Sequence, residues 1–153
     1  MKKILFITAL MLTLLFTGCQ KQLKEGIYEG SAIDTYGGEE NTATARVTID
    51  QDGKITDVYL DTTYTKDGIE TTKKTLGNEY GMKTGNSDYG QAEYEWFEQI
   101  EALEQAIIDN QGITFLNIDS DGYTDAVSSC TIKIDALYEA LENILREQNI
   151  INL

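Results

Sequence analysis

The sequence predicts an α+β fold: a curved antiparallel sheet with two main helices packed on one side and a ligand loop ahead of the last helix. Three observations predict it. Residues 42–49 alternate, with Ala43, Ala45, Val47 and Ile49 on one face, and residues 54–61 return after the turn Asp50-Gln51-Asp52-Gly53. Farther along, Trp96, Ile100, Leu103 and Ile107 fall at i, i+4, i+7 and i+11, the stripe of an amphipathic helix. Near the end, Leu137, Leu141, Ile144 and Leu145 repeat that spacing over a second helix.

Each element follows from its own residues. Gly26-Ile27-Tyr28-Glu29-Gly30-Ser31-Ala32 sets aromatic and β-branched residues between glycines and reads as the opening strand. Gly53 supplies the positive φ that its turn requires. Ile55 and Val58 have opposite parity, so a strand that buries both needs a bulge. Thr65-Lys66-Asp67-Gly68 is a further turn and residues 69–73 a polar strand. Tyr80-Gly81-Met82 has two readings, a surface loop or a loop lying over a ligand with the Tyr ring as a flat platform. The longer helix is expected over residues 91–110 with Gly112 as its stop, and Tyr94, Trp96 and Phe97 pack it on the sheet. Residues 113–118 are a short apolar run.

Composition excludes several functions. Twenty-six acidic residues against twelve basic ones give a formal charge of −14, so nucleic acid is not held by phosphate neutralisation. There is no His, which removes Ser-His-Asp and Cys-His catalysis and ordinary zinc or haem sites. Ser129 and Lys133 are one residue too far apart for a Ser-x-x-Lys pair. Asp50 and Asp52, like Asp119 and Asp121, lack the later acidic ligands and closing Glu of a calcium loop and read as acidic turns. A stand-alone hydrolase is not expected.

The N-terminus begins Met1-Lys2-Lys3 and continues with an apolar run to Phe16, shorter than the roughly 20 residues that span a bilayer. It ends Leu15-Phe16-Thr17-Gly18-Cys19, which resembles a bacterial lipobox. That resemblance implies a lipoprotein signal peptide over residues 1–18, lipidation of Cys19, and a lipid-anchored tether over residues 19–25. The alternative is a plain cleavable signal. With Cys19 so used, Cys130 has no disulfide partner. An acidic domain is repelled by anionic headgroups, so the lipid must supply membrane attachment.

Hydroxyls, a thiol and carboxylates crowd together in residues 121–135, just ahead of the last helix. Such residues cap the free N–H groups of a first turn, or with those N–H groups bind an anion; both readings stand. Asp125-Ala126-Val127-Ser128-Ser129-Cys130-Thr131 followed by an apolar helix resembles the C-terminal signature of the FMN-binding domain family, usually Asp-x-x-Ser-Gly-Ala-Thr. Gly26-Ile27-Tyr28-Glu29-Gly30, then an alternating strand, then Asp52-Gly53-Lys54-Ile55-Thr56-Asp57-Val58, is similar to the same family. Ser129 and Cys130 stand where the family has Gly and Ala.

The resemblance implies that residues 26–153 form an FMN-binding-like domain and that Thr131 carries FMN by a phosphoester or hydrogen-bonds its phosphate. Ser128, Ser129, Cys130 and nearby backbone N–H groups would line that site, and Asp125 at the loop entrance would shape the loop or serve recognition by the flavin transferase. It further implies a flavin carrier on the extracytoplasmic face of the cell membrane, relaying electrons to redox partner proteins. The alternative is a flavin-free interaction module on the same fold.

The anchor is testable alone. Wild-type protein is expected to enter the detergent phase on phase partitioning and Cys19→Ala to stay in the aqueous phase. Identical aqueous partitioning of both would remove the lipoprotein reading.

Overall fold

The computed structural model describes residues 23–85 and 91–147. The expected signal peptide and Cys19 lie outside the described residues, as does most of the tether. Its last residues are held against the domain: Leu23 packs on the core and the Tyr28 hydroxyl donates to the Lys24 carbonyl at 3.0 Å. Among the described residues no helix is long and apolar enough to cross a membrane.

The fold is α+β. Strands β1 (Gly26–Asp34), β2 (Asn41–Ile49), β3 (Ile55–Lys66) and β4 (Ile69–Thr72) form an antiparallel meander in the order β1-β2-β3-β4. Helix α1 (Lys73–Leu76) follows β4 directly, then α2 (Trp96–Asn110) and α3 (Asp135–Glu147). The two long helices match the two expected, and α1 is a third, single-turn helix. Ala43, Ala45, Val47 and Ile49 are buried on one sheet face. There α3 covers β1 and β2 while α2 covers β3. Trp96, Ile100, Leu103 and Ile107 form the buried stripe of α2, and Leu137, Leu141, Ile144 and Leu145 that of α3.

The expected bulge is present. Thr48 pairs with Asp57 and Ile49 with Ile55, so Thr56 is the extra residue and both Ile55 and Val58 face the core. Asp67 and Gly68 both have positive φ, 53° and 79°, matching the twist of the β3–β4 hairpin. β4 reaches only to Thr63 of β3, and beyond it α2 side chains meet the exposed strand edge. Glu104 accepts from the Leu60 N–H, while Gln111 accepts from the Ile55 N–H and donates to its carbonyl, both at 2.9 Å.

Helix α2 begins at Trp96, five residues later than the periodicity suggests. Glu95 is its N-cap, in a reciprocal capping box with Glu98. The preceding backbone is engaged elsewhere, since the Ala92 N–H donates to the Met82 carbonyl at 2.9 Å. At the other end Gln111 takes the left-handed cap at φ 54°, with Gly112 just beyond it. The loops at residues 50–54 and 119–123 share one construction. Asp50 Oδ1 accepts from the N–H groups of Asp52 and Lys54, and Asp119 Oδ1 accepts from those of Asp121 and Tyr123, all at 2.9 Å. Their leading carboxylates thus serve their own backbones.

Gly30 sets how closely α3 approaches the sheet. A Cβ there would lie 2.3 Å from the Ala140 carbonyl oxygen and 2.8 Å from Ile144 Cγ1. At an unconstrained strand position Gly→Ala is favourable by about 0.5–1 kcal/mol. Here Gly30→Ala is expected to destabilise by about 1–3 kcal/mol, as overpacking does. Denaturant melts measure it, and a stabilised variant would show that α3 does not seat on β1 in this way.

Candidate functional site

Thr131 lies at the wall of a cavity of about 370 Å³, in the range of small-ligand sites. Four parts of the fold build it. The end of β1 and the following turn give Asp34 and Tyr36, and α1 gives Lys73. The segment after α1 gives Tyr80 and Met82, with Gln91, Ala92 and Trp96 leading into α2. The loop before α3 gives Tyr123, Thr131, Ile132 and Lys133. Among the described residues the lining therefore combines aromatic rings, two ammonium groups, one carboxylate, the Thr131 hydroxyl and three phenol hydroxyls.

Two buried side chains of the α2 amino end hold the walls together. The carboxylate of Glu95 accepts from the N–H groups of Met82 and Lys83, at 2.9 and 3.0 Å, which fixes the Tyr80–Met82 segment. Gln99 is fully buried, and its Oε1 accepts from both the N–H and the hydroxyl of Thr131, at 2.8 and 3.2 Å. Its Nε2 donates to the Tyr94 carbonyl at 3.1 Å. Tyr80 is set by an edge-on contact with Tyr64, ring centroids 5.2 Å apart.

The two lysines differ. Lys73 is the first residue of α1, whose N-cap Thr72 accepts from the Thr75 N–H at 3.1 Å. Its ammonium is 3.6 Å from Asp34 Oδ2 and lies over the rings of Trp96 and Tyr80, at 5.5 and 5.9 Å from their centroids. Burial pushes Lys73 below the ordinary lysine range, opposed chiefly by Asp34. Its neighbour Lys74 turns away to Glu104 and the Tyr59 ring. Lys133 sits nearer solvent, paired with Asp135 at 2.8 Å, and that hydrogen bond raises its pKa. Its side chain crosses Gly122, where a Cβ would come within 2.6 Å of Lys133 Cε and where φ is 91°.

Of the five residues that the FMN-binding resemblance implies, Thr131 alone lines the cavity. Asp125 and Ser128 are exposed, Ser129 is half-buried, and none of the three is part of the lining. Cys130 turns into the core, where burial pushes its thiol up to about 11. The backbone groups before α3 are also engaged: the Thr131 N–H goes to Gln99, and Asp135 Oδ1 accepts from the Ala136 N–H at 2.9 Å. The charged donors in the lining are the side chains of Lys73 and Lys133.

Tyr80 and Met82 do line the cavity, which favours the second reading of that segment. Trp96 packs in the α2 stripe and lines the cavity as well. Sequence reasoning missed Asp34, Tyr36, Lys73, Tyr123, Lys133 and Gln99. Gln99 had a usable signal, a polar residue three positions after Trp96 on the apolar stripe. Compared with protein-family models, with curated proteins and with solved structures, the chain gives no match in any of the three.

Proposed function

We propose that the mature protein is a lipid-anchored, extracytoplasmic FMN-binding domain that relays electrons between redox partner proteins. The observation that carries this reading is the convergence of Thr131, two lysines and the rings of Tyr36, Tyr80, Trp96 and Tyr123 on one cavity. That donor set fits FMN. Ammonium groups suit a phosphate, flat aromatic faces suit a flat ring, and about 370 Å³ accommodates a small ligand. The net charge of −14 opposes an anion only diffusely and is screened within about 10 Å, whereas Lys133 stands two residues from Thr131.

The flavin, when bound, supplies the redox chemistry, and the protein supplies position and electrostatics. Thr131 would hold the phosphate end. Its hydroxyl donates to Gln99 Oε1, which leaves the oxygen lone pairs available for an ester bond or for a bound phosphate's water. Lys133 would offset phosphate charge beside it. Tyr80 and Trp96 would flank the ring, and Met82 and Ile132 would exclude water from it.

Coexpression with a flavin transferase followed by intact-mass measurement tests this. A gain of the mass of one FMN less one water, lost in Thr131→Ala, would establish covalent attachment at Thr131. A coloured protein of unmodified mass would indicate noncovalent binding at the same site. Unmodified, colourless protein that takes up no FMN on titration would remove the flavin reading and leave the interaction module.

A further inference from the structure

We propose that Lys73 is the charge partner of the flavin's reducible ring rather than of its phosphate, and that it raises the reduction potential of the bound cofactor. The inference rests on the flavin reading above. Its ground is that the two lysines enter one cavity from different parts of the fold and in different surroundings. Lys133 shares the 131–133 segment with the phosphate-bearing hydroxyl and remains partly exposed. Lys73 comes from α1, is 9% exposed, and lies over the rings of Tyr80 and Trp96, which would flank a flavin ring.

A buried ammonium is a costly element to retain in a wall, and that of Lys73 is offset by Asp34 at 3.6 Å and, more weakly, by Asp61. The rings of Tyr80 and Trp96 supply quadrupole attraction but no counter-charge. The Lys73 ammonium faces the cavity beside Tyr80 and Trp96, where negative charge arising on a bound ring would meet it. Reduction of a flavin ring delivers that charge: two electrons from a reductant, with uptake of one proton, leave the ring with one negative charge. An ammonium beside that ring stabilises the reduced form more than the oxidised form, and the low-dielectric surroundings strengthen the effect. A phosphate, charged equally in both forms, would give no such difference.

Potentiometric titration with dithionite, on protein reconstituted at saturating FMN, tests the assignment. Lys73→Met is expected to lower the midpoint potential by about 30 mV or more, a tenfold loss of preference for the reduced form in a two-electron couple. Lys73→Arg keeps the charge and should stay near the wild-type value, and Lys133→Met should shift the potential far less than Lys73→Met. Equal potentials in wild type and Lys73→Met would overturn the role of Lys73 while leaving flavin binding intact. Loss of FMN uptake in Lys73→Met with retention in Lys133→Met would also overturn it, by making Lys73 the phosphate partner. Wild-type protein that binds no FMN would overturn the flavin reading and this role together.

Discussion

The carboxamide of Gln99 is the joint on which the cavity depends. It is fully buried, and its oxygen and nitrogen connect α2 to Thr131 and to the Tyr94 carbonyl. Leaving such buried groups unpaired costs about 1–3 kcal/mol. The loop carrying Thr131, Ile132 and Lys133 is therefore fixed at one distance from α2. Glu95, one turn earlier on the same helix, does the same for the Tyr80–Met82 segment. One helix terminus thus positions two walls of the site.

That arrangement in turn requires α2 and α3 to sit firmly on one sheet face. Gly30 allows the α3 backbone to approach β1 at Ala140. On the other side, Glu104 and Gln111 satisfy the β3 edge where β4 stops short. The acidic character of the chain coexists with these contacts because several carboxylates are consumed by structure. Asp50 and Asp119 close their own loops, Glu95 caps α2, and Asp61 accepts from the Tyr59 hydroxyl and from the N–H groups of Thr62 and Lys74. Two lysines can then dominate the cavity despite a formal charge of −14.

The fold was largely legible in the sequence because its elements are locally coded. Alternation gave β2, the parity of Ile55 and Val58 gave the bulge, and helical spacing gave the buried faces of α2 and α3. The start of α2 was misplaced because the apolar stripe is silent about residues 91–95, whose structure is decided by the Glu95 cap and the Met82 contact. Of the site, Thr131 was legible from the motif in which it stands. Lys73 was not, because its place beside Asp34 depends on how β4 hands over to α1 against the end of β1. Nor does spacing reveal that Cys130 turns inward while Thr131, its neighbour, faces the cavity.

Trp96 permits the most direct measurement of the central claim, that this cavity is a flavin site. It is the chain's single tryptophan and lines the cavity. FMN added to the folded domain should quench its emission saturably, beyond the absorption correction measured with free tryptophan. Emission that follows the free-tryptophan control at every FMN concentration would contradict the account.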